Sequence, residues 1–438
     1  MILKNNEKYL FLISSFLVVL VYLPFREIIS WGGYAGYVLQ APVSLSVEFY
    51  EFIEKQEILY SYSIVQIDPI YTPIGLPILI NLTSWLHDWS LYKIKLLVPI
   101  FLLLTIFVII RNYKFKLRFL YFIPLINLSI VDEYSDAQSE IPGLFFLFLG
   151  LNTKNIFIKN LFLVYSTFFR PTFLPVIFIY YLVQYFETKK ANDLFYYLTF
   201  QLASYSILKF LFSINFYGDQ SNSGQDGVLR LIDLLLSINI DRFHYIVTEL
   251  GRTFTGFTNN LNFFIGIFIF ISSLLFKNKY GYMSAVFIFL HFGWDFPYFT
   301  RFFIPVVFFY TVALGIYLNK FESKYFQSKY YITSILFVTC LYSFQIFNEI
   351  SKLESQRGPF QKESIEMLSF INKYEKNTLF SFHSPRVLRV ITGYDSYKYD
   401  SDYIEGSVII CELSIEYCDI PPEYYQVFSN KTFAIYEN

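Results

Sequence analysis

The chain alternates long apolar runs with short polar blocks. The first run covers residues 9–29. Others follow at 91–110, 119–131, 141–151, 156–169, 171–186, 194–215, 261–276, 282–295, 302–318 and 331–348. A straight membrane crossing takes roughly 20 apolar residues, so the shorter runs must borrow polar neighbours or lie partly buried in protein. Read this way, the pattern predicts about eleven transmembrane helices. The polar blocks orient them. Arg111–Arg118, Lys154 with Lys159, Lys189-Lys190, Lys277–Lys279 and Lys320–Lys329 all fall on one side if 74–90 is re-entrant or surface-lying. That places the N-terminus in the cytoplasm. Loops 30–90, 132–140 and 216–260, and everything after 349, then share the extracytoplasmic side.

The last ninety residues change character. Residues 360–374 are amphipathic, whereas 378–382, 407–413 and 432–436 are short and β-branched or apolar. The expected fold is an all-α polytopic membrane domain, 1–348, followed by a small extracytoplasmic α/β domain, 349–438.

Composition supports this reading. Of 438 residues, 55% are hydrophobic and only 16% charged, with a mean hydropathy of +0.43. A soluble domain carries about 25% charged residues, so the expectation is an integral protein of a cell inner or plasma membrane. The net charge of −1 gives no case for nucleic acid. Of the three cysteines, Cys340 lies in an apolar run, while Cys411 and Cys418 would pair only if the tail occupies an oxidising space.

One stretch concentrates charge. Asp132, Glu133, Asp136 and Glu140 place four carboxylates within nine residues, between two apolar runs. A carboxylate facing lipid costs roughly 2.5–3.5 kcal/mol, so these acids belong at a membrane surface or in a wet cavity. Arg170 and Arg301 stand at run ends on the same expected side. Acids and arginines around one cavity suit transfer from a phosphate-linked donor. A carboxylate takes the acceptor proton, and a guanidinium fork holds the leaving phosphate. The bland alternatives are a solvated connector for the acids and headgroup contacts for the arginines.

Ser139-Glu140-Ile141-Pro142 followed by an apolar run resembles the Ser-(Asp/Glu)-Ile-Pro signature of bacterial GT-C glycosyltransferases. These are relatives of the protein O-mannosyltransferases and the lipid A aminoarabinose transferases. The order of features is similar over essentially the whole chain. A first helix leads to a long loop opening on Gly32-Gly33-Tyr34, then Pro73-Ile74-Gly75-Leu76-Pro77, a basic loop, a second acidic loop, Arg170-Pro171, and Arg301-Phe302-Phe303-Ile304-Pro305. The resemblance implies a GT-C membrane fold and a sugar carried on polyprenyl phosphate. The acceptor would be a glycan, lipid or protein hydroxyl, reached with inversion at the anomeric carbon. It also implies an acid after the Gly-Gly pair, but here Tyr34 stands directly there. Asp68, just before the Pro-rich segment, takes that place as first choice over Glu48 and Glu51. Glu140 is the leading catalytic candidate. Asp136, four residues earlier, would share its face on a helix. Arg170, Arg301, Tyr34 and Tyr71 complete the substrate-binding set. No cofactor is indicated and no metal set is assigned.

Two other readings stand beside this one. The first is a catalytically inactive relative acting as a binding or assembly subunit. The second is a polysaccharide polymerase or transporter of envelope glycans. His291 and Asp295, four apart, form a weak metal pair. His87, His244 and His383 lack metal-ligand spacing.

Overall fold

The structure is a computed structural model. It describes residues 5–22, 75–87, 94–127, 130, 139–189, 192–212, 240–256, 260–292, 300–320, 360, 362–383, 385–394, 396–398, 406–413 and 418–438. Among the described residues, eleven helices of eight residues or more organise the larger part: α1 (Asn5–Tyr22), α2 (Gly75–Leu82), α3 (Leu97–Asn112), α4 (Glu140–Asn152), α5 (Ile156–Phe169), α6 (Phe173–Thr188), α7 (Asn192–Phe212), α8 (Ile240–Thr255), α9 (Asn262–Leu275), α10 (Lys279–Phe292) and α11 (Ile304–Leu318).

Local chemistry sets several boundaries. The Asn155 side chain accepts hydrogen bonds from the Phe157 and Ile158 amides, at 3.0 and 3.1 Å, and so starts α5. Asn278 does the same for α10 through Tyr280 and Gly281, and its amide also donates to the Ala313 carbonyl of α11 at 3.1 Å. Pro171 ends α5, because the residue before a proline is pushed out of the helical region. Arg170 accordingly is extended, at φ −146° and ψ 106°.

The membrane expectation is corrected here. Among the described residues, no helix is long and apolar enough to cross a membrane. The most apolar helices, α3, α4, α5, α6, α9, α10 and α11, have 13 to 16 residues. At 1.5 Å per residue they span about 20–24 Å, short of a hydrocarbon core of about 30 Å. The two longer helices dilute their apolar content. The 18 residues of α1 open with Asn5-Asn6-Glu7-Lys8, and the 21 of α7 include Asn192, Asp193, Gln201 and Lys209. The reading of about eleven transmembrane helices in an all-α polytopic fold is therefore overturned. With it go the integral-membrane localisation and the sidedness given to the N-terminus, loops and tail. The run at 331–348 lies outside the described residues.

What the apolar runs build instead is a shared core. The chain packs α3 against α1 and α4, α4 against α5, α6 against α10, and α8 against α9. Eleven of the fifteen residues of α11 are buried, which makes it a central helix. Apolarity on all sides suits that position. Outer faces keep large apolar side chains as well, among them Phe157, Phe195, Leu202, Phe264 and Phe268.

A five-stranded sheet closes the chain, with strands β1 (Phe380–Phe382), β2 (Ser396–Lys398), β3 (Val408–Glu412), β4 (Tyr425–Ser429) and β5 (Phe433–Glu437). Their order is β2-β1-β3-β5-β4. β1 pairs parallel with β2 and β3, and β5 pairs antiparallel with β3 and β4. Helix α12 (Pro385–Thr392) connects β1 to β2. A separate core of Met367, Ile371, Phe380, Phe382, Leu388 and Phe433 lies under the sheet. Cys411 and Cys418 form a disulfide with Cα atoms 5.9 Å apart.

Candidate functional site

Glu140 is the first residue of α4 and is 1% exposed. Pro142 in the same turn lacks an N–H that the helix start would leave unpaired in any case. The positive end of the helix favours the carboxylate. Arg170, thirty residues on, forms an ion pair with it. Two features bring them together. The extended backbone at Arg170 turns the chain between α5 and α6. Gly143 lets this corner approach α4, since a Cβ there would lie 2.8 Å from Cβ of Phe169 and 3.0 Å from the Phe173 ring.

Other distant segments meet at this corner. The Arg170 guanidinium sits 5.0 Å from the centre of the Phe302 ring. Phe302 belongs to the 3-10 turn Thr300–Phe303, which leads into α11. Its neighbour Phe303 lies 5.0 Å from the ring of His291, near the end of α10. His291 Nδ1 faces the Phe287 carbonyl at 2.7 Å. From the other side, Gly75 of α2 touches the residues just before Arg170. A Cβ at Gly75 would lie 2.6 Å from the Phe169 amide nitrogen, and the Tyr165 hydroxyl donates to the Gly75 carbonyl at 3.2 Å.

The electrostatics are those of a dry corner. A carboxylate, a guanidinium and a helix N-terminus balance one another. Burial holds His291 below its ordinary range, at about 4; the Phe287 carbonyl works against this and the Arg170 charge adds to it. The imidazole is therefore neutral near pH 7. In the tail, His383 lies 3.2 Å from Glu412. Burial lowers its pKa too, with Glu412 opposing. Both histidines bind protons less readily in the folded chain than in the unfolded one. Stability is thus expected to fall as pH drops from about 6.5 toward about 4, the window set by the ordinary and folded values of His291. Thermal unfolding across a pH series checks this. His291→Gln should flatten part of the slope, and an unchanged slope would remove His291 from the account.

The structure thus joins two of the residues singled out in the sequence, Glu140 and Arg170. Arg301 lies in the 3-10 turn, one residue from Phe302. Asp136, Asp68, Tyr34, Tyr71 and Asp295 lie outside the described residues, as do Glu48 and Glu51. Among the described residues, no group of three or more His, Cys, Asp or Glu is placed to hold a metal ion.

Phe302 escaped the sequence reading, because nothing in a run of aromatics marks the one that meets a cation. Glu249 escaped it as well. It falls on the buried face of α8 with Ile246, Leu250 and Thr253, a spacing that a helical projection would have shown. Burial pushes its carboxyl upward, against the pull of Arg252, whose Nη1 lies 3.4 Å away. Helix α8 packs against the 3-10 turn of Phe302.

No protein-family model matches the chain, and a search of curated proteins finds no match.

Proposed function

We propose that the chain is a glycosyltransferase, moving a sugar from a polyprenyl-phosphate donor to an acceptor hydroxyl at the Glu140–Arg170 corner. The observation that carries this reading is the buried ion pair itself, built where α2, α4, α5 and the 3-10 turn of Arg301 converge. In this reading Glu140 accepts the hydroxyl proton as the acceptor oxygen bonds to the anomeric carbon. The bond from that carbon to the phosphate oxygen breaks, and the phosphate leaves with the electron pair. Arg170 receives the negative charge, and Arg301 stands in the turn that carries Phe302.

The resting pair suits such a cycle. A guanidinium beside a carboxylate keeps it ionised but makes it a weak base. A donor phosphate competes for Arg170, and drawing the guanidinium away frees the Glu140 carboxylate to take the acceptor proton once donor is bound.

The test measures release of polyprenyl phosphate from a panel of polyprenyl-phosphate-linked hexoses, with mass analysis of glycans from cells with and without the gene. Glu140→Gln should lower transfer by about 10²–10⁴ with circular dichroism unchanged. Full transfer in that variant would leave the pair as a clamp between α4 and α5, and the proposal would fall.

A further inference from the structure

A second charged cluster lies at the other end of the same helices. Lys159 is in the first turn of α5 and Lys279 is the first residue of α10. Arg170 lies eleven residues on from Lys159, about 16 Å along the axis. Both ammonium groups converge on one aromatic pair. Lys279 Nζ donates to the Tyr180 hydroxyl at 2.8 Å and lies 4.3 Å from the centre of that ring. Lys159 Nζ lies 4.7 Å from the Tyr181 ring and 5.7 Å from the Tyr180 ring. The Tyr181 hydroxyl is engaged by Asn160 at 3.2 Å.

Three effects oppose two cations here. Partial burial disfavours each charge, and the charge of Lys279 is felt at Lys159. Each lysine also sits at the positive end of its helix, where cations are disfavoured. Asn155 and Asn278 satisfy first-turn amides of those helices, so the backbone there is already engaged. Two acids work against these effects: the Asp193 charge acts on Lys159 more strongly than the Lys279 charge does, and Glu187 acts on Lys279, while burial remains the largest effect on both lysines. The Asp193 carboxylate accepts from Gln184 at 2.9 Å, and Glu187 lies in the last turn of α6. Among the described residues, neither lysine forms an ion pair with a carboxylate. The aromatic faces compensate in part, as cation–π contacts do.

We propose that Lys159, Lys279 and the Tyr180 hydroxyl form a binding site for a phosphate group. A tetrahedral dianion offers several oxygens to convergent ammonium donors, and lysine serves such groups as a point charge. An anion between the two lysines offsets their repulsion, and the positive ends of both helices attract it through their dipoles. This site is separate from the Glu140–Arg170 corner and stands whether or not sugar transfer occurs there.

Isothermal titration of the full chain with inorganic phosphate and with pyrophosphate, at constant ionic strength held by chloride, tests the site. Both probes should bind. Tighter binding of pyrophosphate assigns a diphosphate-bearing ligand, and equal binding a single phosphate. Lys159→Met and Lys279→Met should each weaken binding about tenfold or more, the loss of one charge-assisted hydrogen bond. Without phosphate, the double variant should melt at or above the parent temperature, since it sheds two disfavoured charges. Phosphate should then raise the melting temperature of the parent alone. Binding of neither probe, binding unchanged in the double variant, or a double variant that melts below the parent would overturn the site.

Discussion

Arg170→Met is expected to destabilise the fold by about 3–5 kcal/mol, the cost of leaving one partner of a buried ion pair uncompensated. Glu140 is 1% exposed, so water cannot replace the guanidinium without opening the corner. Methionine keeps much of the arginine stem and its packing on Phe302, so the loss reports charge more than volume. The double variant Glu140→Leu/Arg170→Met should recover most of that loss, because exchanging a buried pair for apolar groups of similar volume is often neutral or favourable. Chemical denaturation of the two single variants and the double completes a thermodynamic cycle. A coupling below about 0.5 kcal/mol would mean the pair does not join α4 to the corner. The cycle also separates stability from chemistry. A stable double variant that transfers no sugar places the charges in the reaction, and a stable double variant with full transfer removes them from it.

The second large effect is steric. Gly251 of α8 and Gly266 of α9 let the two helices meet backbone to backbone. A Cβ on Gly251 would overlap the Asn262 carbonyl, and one on Gly266 the Val247 carbonyl. Both obstacles are main chain, which cannot rotate away as a side chain would. Gly251→Ala and Gly266→Ala are therefore each expected to cost about 1–3 kcal/mol, the range for overpacking, despite the better helix propensity of alanine. Denaturant midpoints at constant slope check this. A variant as stable as the parent would show that the helices separate at little cost. Because α8 packs against the 3-10 turn carrying Phe302, a shift there should also loosen the support beneath Arg170.

Several features of this chain could be read from residue order. Pro171 ends a helix by local sterics, and Ser139-Glu140-Ile141-Pro142 marks a helix start with an acid at its favourable end. The short apolar pieces at 378–382 and 407–413 hold β1 and β3 because brief runs of β-branched and aromatic residues suit strands buried on both faces. Glu140 and Arg170 stood out as charges beside apolar runs. Whether an apolar run crosses a bilayer or fills a protein core was not readable in this way. Hydropathy counts apolar atoms and is silent on what covers them, so α11, apolar on every side, satisfies either reading until its neighbours are known. Tertiary structure decided the rest: the meeting of residues 140, 170 and 302, the backbone contact of α8 with α9, the Cys411–Cys418 bridge, and the two lysines held over one pair of tyrosines. These depend on distances between segments far apart in the chain, and such distances are set by how side chains pack together rather than by any local preference.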